Sequence, residues 1–441
     1  MFIPQQEGNS HLVPVQLESR DEDELIFPRI VQVEQKIDSQ RLDDFASTLR
    51  NELEAVGLSR SVRKGMRVAI TAGSRGIAHI PEILAMIADE VKKAGGQPFL
   101  FPAMGSHGGA TAEGQLEILN ALGITEATTH ALILSTSETK IVGTLDNGEP
   151  VCIDKYAAEA DGIIVVNRIK PNTDFKDEIE SGLMKMMAVG MGKQKGSRMV
   201  FWHGREGYHK TLKEVARVIL KNTPILFGVG IVENAEGETA VIKAIASAQI
   251  EEEEKKLLRI AKSKEPRIPF KQIDVLVLRE IGKDISGTGM DTNVVGRFWL
   301  TGEEFPELPD ISRIAVLDLT DRSHGNAVGI GLADITTRRV LKKIDFYTVY
   351  LNALNAGSPE TAKLPMALSD DRTAIWATLN VCGPVKPESA KLVILRNTMT
   401  LNRFHISEAL IPEARRANLE IIGEPHEMEF DLLGNLQITT L

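Results

Sequence analysis

The chain has 441 residues, 51 Lys and Arg against 61 Asp and Glu, a formal net charge of −10 and 43% hydrophobic residues. That length supports roughly two or three domains with real cores, and the acidic balance argues against nucleic acid as the main ligand. Cys152 and Cys382 stand far apart without metal-type spacing, which points to a reducing cytoplasm. No apolar run reaches the length of a membrane span, and Met1-Phe2-Ile3-Pro4-Gln5 lacks a signal-peptide pattern, so neither membrane nor export is expected.

The first predicted elements are a strand over 25–33 and an amphipathic helix over 41–54. Short apolar strands then alternate with helices: a strand at Val68-Ala69-Ile70, a helix over 80–94 stopped by Gly95-Gly96, a strand over 98–102 and a helix over 111–122. Two more buried strands fall at 131–134 and 162–166, and an Asn147-Gly148 turn predicts an antiparallel hairpin between them. The run Glu251-Glu252-Glu253-Glu254-Lys255-Lys256 reads as the solvated face of a helix, and 264–269 as a linker. A second alternation begins at 273–278 and continues through 314–319 and 392–395. The fold class expected is therefore α/β: two α/β domains with mainly parallel sheets, 1–266 and 271–441, and a site in the cleft between them. A strand pair from about residue 424, closing on Gly434-Asn435, is expected to pack back on the first domain.

One stretch stands apart. Ser181-Gly182-Leu183-Met184-Lys185-Met186-Met187-Ala188-Val189-Gly190-Met191-Gly192 sets a single lysine among apolar and very small residues. On helical spacing Ser181, Gly182, Ala188, Val189 and Gly192 share its lane, a shallow groove holding one amine. Desolvation disfavours the ammonium form, so Lys185 is a candidate for covalent chemistry. The plainer alternative is a glycine-rich loop with Lys185 reaching into solvent.

In an open parallel sheet, ligands bind beyond the carboxyl ends of the strands. The loops at those ends carry Ser74 and Arg75, then Gly105-Ser106-His107-Gly108-Gly109, then Arg168 with Lys170, Asn172 and Asp174: a cationic collection around one imidazole. The glycines allow close backbone approach, and Thr111 is placed to cap the next helix. No dinucleotide fingerprint or P-loop is present. His203 and His209 are six apart, which argues against a two-histidine helical metal site. In the second half, Ile281 to Asn293, with Lys283 and Asp291, suits a polyhydroxylated or carboxylated ligand, or is a plain irregular loop. Ser323-His324-Gly325-Asn326 faces the same choice.

Taken together, Gly105-Ser106-His107, Arg168-Ile169-Lys170-Pro171, Lys185 and His203 resemble the nickel-dependent lactate racemase family. The resemblance implies a nickel-pincer nucleotide attached covalently to Lys185 and a nickel ligand at His203, with His209 as the fallback. It further implies a catalytic base at His107 and a carboxylate-binding arginine at Arg75. Ser74, the 105–109 loop, Arg168 and Lys170 would surround the cofactor, and Lys283 would reach the substrate from the second domain. The family's second catalytic histidine follows the proline of the Lys-Pro segment; here Asn172 takes that place, and an amide accepts no proton near neutral pH. Asp174, Lys176 or His209 are the candidate replacements. The implied activity is racemisation or epimerisation of a 2-hydroxy acid, with a sugar acid suggested by the polar 281–293 loop. The alternatives are a non-redox lyase or hydratase on a carboxylate, and a non-catalytic nucleotide or carboxylate-binding protein. Cofactor-biosynthesis enzymes and further copies of the chain are the expected macromolecular partners.

Overall fold

A computed structural model describes residues 25–300 and 308–438; the signal-peptide reading at residues 1–5 lies outside them. Six strands form the first sheet, in the order Leu132–Ile133, Gln97–Pro102, Arg67–Ala72, Gly162–Arg168, Ile225–Glu233, Thr239–Ala246. All are parallel except the last, which runs antiparallel to its neighbour. The central strands read as continuous apolar runs because helices cover both faces. Ile70, Ile164 and Val166 pack on one side with Ile83, Leu84 and Ile87 of the helix Ile80–Lys93. Ala69, Ile163 and Val165 pack on the other with Leu183, Met187 and Leu212. The Ile80–Lys93 helix buries the three-and-four spacing Ile80, Ile83, Leu84, Ile87, Val91 and stops at Gly95, whose φ of +88° suits glycine.

The second sheet has eight strands. Met366–Leu368, Ile335–Thr337, Asp310–Val316, Gln272–Leu278 and Leu392–Leu395 are parallel; Arg403–Ser407, Ile30–Glu34 and Glu420–His426 complete it in antiparallel fashion. The architecture is α/β with mainly parallel sheets. Two expectations about placement need correction. Ile30–Glu34 lies between two strands of the second sheet, where Val31 and Val33 are fully buried, so it does not belong with the first half of the chain. The terminal pair Glu429–Phe430 and Leu436–Gln437 forms as predicted, but Met428 and Leu436 pack with Val275 and Leu392 of the second sheet, not on the first.

Two further readings shift. The Asn147-Gly148 hairpin, Thr139–Thr144 with Pro150–Asp154, stands as a separate two-stranded sheet. The charge run does lie on a helix, Ile250–Lys264, yet Glu254 faces inward and is fully buried. Its carboxylate accepts from Met184 N at 2.8 Å, at the start of the helical turn that carries Lys185. A Cβ on Gly182 would meet Glu254 Oε1 at 2.2 Å, which is why glycine stands there.

Candidate active site

The carboxyl edges of both parallel sheets open onto one cavity of about 1010 Å³. Ser74, Arg75, the 105–109 loop, Arg168, Lys170, Asn172 and Lys185 line it from the first half, and Lys283 from the second. His203 does not.

Lys185 ends the short helix Leu183–Lys185, and the next six residues, Met186–Met191, form a π-helical segment. The wider turn changes the predicted lane. Ser181 and Val189 face the cavity as expected, while Met186 and Gly190 replace Ala188 and Gly192. Such segments often mark functional positions. Gly190 permits a close approach: its Cβ would meet Ala103 O at 2.7 Å. Among the described residues Lys185 Nζ has no hydrogen-bond or ion-pair partner. Desolvation holds its pKa below the usual lysine range; Asp174 opposes that shift and Arg75 adds to it.

His107 sits on the loop after Gln97–Pro102. Its Nδ1 lies 2.7 Å from Met104 O and its Nε2 3.3 Å from Arg75 Nη2. A carbonyl only accepts and a guanidinium only donates, so the assigned tautomer carries its proton on Nδ1 and a lone pair on Nε2. The ring faces the cavity, yet the walls around it and then Arg75 push its pKa down to about 3. Behind the loop, Gln115 Nε2 donates to Gly105 O at 3.0 Å and to His107 O at 3.3 Å. Buried Lys193 Nζ donates to Gln115 Oε1 at 2.9 Å, to Pro102 O at 2.6 Å, and pairs with Asp154 Oδ2 at 3.0 Å. Sequence reading passed over this support; its one trace was a lysine directly after an apolar, glycine-rich run. Thr111 does cap the helix Ala112–Ala121, accepting from Gly114 N at 3.1 Å. Gly108 serves that packing: at φ +63° its Cβ would meet the Gly114 carbonyl carbon at 2.5 Å, whereas Gly109 faces open space.

Arg75 donates to Ser74 O and Ser74 Oγ but meets no carboxylate among the described residues. Arg168 is paired with Glu233, and Lys170 stands 3.8 Å from Asp291. Lys283 donates to Gly287 O at 2.5 Å, and burial followed by Arg75 lowers its pKa to about 8. Arg75, Lys283 and Lys185 therefore all bear on His107, and among the described residues none of the three forms an ion pair.

Asn172 is only 2% exposed. Its Nδ2 donates to Ser181 Oγ at 2.9 Å and its Oδ1 accepts from Asp174 N at 2.8 Å. The amide shapes a turn at the cavity wall, where the resemblance placed it among the site residues. That turn brings Asp174 to the cavity, where Oδ1 accepts from Trp299 Nε1 at 2.9 Å and the carboxylate acts on both Lys185 and Lys283. Lys176 is drawn to Asn172 O and Glu180. His209 faces Asp177 at 3.3 Å and packs edge-on against Phe175.

His203 Nε2 lies 3.0 Å from Glu149 Oε2 on the far side of the hairpin turn, which corrects its assignment to the site. The ten-residue helix Lys193–Trp202 keeps Ser197 and Phe201 on the cavity wall, and His203, which follows its end, does not line it. The 281–293 loop lines the cavity, but Ser323 instead buttresses it by accepting from Lys283 N at 2.7 Å, and His324 is exposed. Among the described residues no three His, Cys, Asp or Glu side chains cluster as a metal site, and no helix is long and apolar enough to cross a membrane.

Fold and cavity together define an α/β protein whose two sheets share one cationic cleft with a single imidazole and an unpaired lysine. Residues 15–173 match the family model described as the lactate racemase N-terminal domain. The apoprotein of lactate racemase from Thermoanaerobacterium thermosaccharolyticum shares the fold, with a TM-score of 0.50 at 11% identity over 84% of this chain and 99% of that one. The first part of the chain is accordingly similar to the lactate racemase N-terminal domain, and the whole shares the fold of that enzyme's apoprotein. It is also 28% identical over 199 residues to the thylakoid-associated protein sll1697 of Synechocystis sp. (strain ATCC 27184 / PCC 6803 / Kazusa). That match covers 42% of this chain and 58% of the relative, so less than two thirds of the relative's length is spanned.

Proposed function

We propose that the cleft racemises or epimerises a 2-hydroxy acid with the help of a nickel-pincer nucleotide carried on Lys185, in a reducing cytoplasm. The observation that carries this reading is an unpaired, desolvated lysine in one cavity with an Arg75–His107 pair, in a lactate racemase-like chain.

The residues fit the organic part of that cofactor. Lys185 offers a free amine for the covalent link, and Arg168, Lys170 and the main chain of 105–109 lie around it as donors for a phosphate. They do not fit the protein ligand to nickel at His203, which is held outside the cavity by Glu149. When bound, the group would supply the hydride acceptor.

The chain's own residues account for the remaining steps. Arg75 takes the substrate carboxylate through a charge-assisted pair. An anion there offsets the cations that depress His107, so its Nε2 lone pair becomes a better base when substrate is present. His107 then accepts the proton of the 2-hydroxyl. Asp174 is the second proton-transfer group, since Asn172 is committed to its turn and Lys176 to Glu180. The cavity's size and the polar 281–293 loop favour a substrate larger than lactate, such as a sugar acid.

A panel of single-enantiomer 2-hydroxy acids, followed by chiral chromatography with protein co-produced with the cofactor pathway, tests the reading. Inversion of at least one acid, abolished in His107→Ala, is expected. Elimination or hydration products without inversion would favour the non-redox lyase, and binding without turnover would favour a carboxylate-binding protein.

A further inference from the structure

Among the described residues Lys185 faces the cavity with no hydrogen-bond or ion-pair partner, and Arg75 and Lys283 converge on the same space, where the Asp174 carboxylate acts on the two lysines but pairs directly with neither. A lone ammonium would be costly in that company, and an amine relieves it. Lys185 shares the cavity wall with Ser181, Met186, Val189 and Gly190, and the cavity of about 1010 Å³ has space for a small acid beside it. We propose that the cofactor-free chain captures 2-oxo acids at Lys185, its Nζ adding to the keto carbon while Arg75 holds the carboxylate.

The chemistry balances without any further reactant. The neutral amine adds to the carbonyl carbon to give a carbinolamine; a proton from solvent converts its hydroxyl to water, which leaves, and an iminium remains. Desolvation and the neighbouring Arg75 favour the neutral amine that this requires. An uncharged ketone gains nothing from Arg75, so the ligand class is set by the carboxylate beside the carbonyl. The proposal concerns the protein before any cofactor is attached, and holds whether or not the racemase reading does.

The full chain, produced without the cofactor pathway, is incubated with pyruvate and sodium cyanoborohydride and then mapped by peptide mass spectrometry. An N-carboxyethyl group on Lys185, formed about tenfold or more faster than on exposed lysines, is expected because a lower pKa enlarges the free-amine fraction. The preference should be several-fold smaller with acetone, which has no carboxylate for Arg75, and should fall in the same way for pyruvate in Arg75→Met. Lys140→Ala, an exposed lysine paired with Glu159 and outside the cavity, should retain it. Adducts spread evenly over surface lysines would overturn the proposal, as would equal selectivity for pyruvate and acetone. Absence of nickel or of racemase activity would leave the labelling result unchanged, so the two readings fail separately.

Discussion

Arg75 Nη2 and His107 Nε2 lie 3.3 Å apart, so the guanidinium donates into the lone pair through which the imidazole would act as a base. Desolvation by the cavity walls, and then the Arg75 charge, keep His107 neutral far below its ordinary range, down to about 3. Side-chain NMR of the cofactor-free protein should therefore show a neutral ring at pH 5 and above. Arg75→Met removes a cation, so the pKa should rise toward the ordinary histidine value, and saturating D- or L-lactate should move it the same way in the unaltered protein. A folded-state pKa below the unfolded one contributes stability that is present above about 6.5 and is lost as pH falls toward 3.

Lys193 and Asp154 form a buried pair behind the His107 loop. Burial raises the Asp154 pKa and lowers that of Lys193, so desolvation works against the pair even as each partner supports the other. Lys193→Met, which strands the carboxylate, should cost about 3 kcal/mol in urea unfolding. Adding Asp154→Leu to that variant should recover most of the loss, because the pair is worth little against an apolar replacement. Gln115→Ala should cost about 1–2 kcal/mol by leaving the Gly105 and His107 carbonyls unsatisfied, and should loosen the loop.

Burial pushes Glu254 up to about 8, against the backbone donors of Met184 and Leu183. It is protonated in the folded state at neutral pH. A raised folded pKa gives stability that is full below about 4.5 and lost as pH rises through about 8. Unfolding free energies at pH 5 and pH 8 should differ by roughly 2–4 kcal/mol on this account. Glu254→Gln, which keeps an acceptor for Met184 N, should flatten that slope. A slope unchanged in the variant would show that Glu254 does not control it.

Asp174→Asn should lower turnover by about a hundredfold or more while leaving substrate binding through Arg75 nearly unchanged. Asn172→His should not restore it, since the amide at 172 holds the turn through Ser181 Oγ and Asp174 N. Recovery of two-way turnover in Asn172→His would instead return the second base to position 172.

Much of this was legible in the chain. Apolar runs such as 162–166 and rim loops such as 105–109 carry local signals, and strand ends set where those loops meet. The lane around Lys185 was half right because 3.6-residue spacing does not anticipate the π-helical turn at Met186–Met191. Long-range partners left no local trace: Ile30–Glu34 pairs with Arg403–Ser407 across most of the sequence, and Glu254 hides in an acidic run while facing the core. His203 was placed by the order of residues alone, and position after Lys185 does not say which side chains beyond the helix Lys193–Trp202 reach the cavity.

The intact mass of the chain co-produced with the nickel-pincer pathway tests the central claim most directly. A single covalent adduct is expected that maps to Lys185, disappears in Lys185→Ala and persists in His203→Ala. A well-folded chain that stays unmodified under those conditions would contradict it.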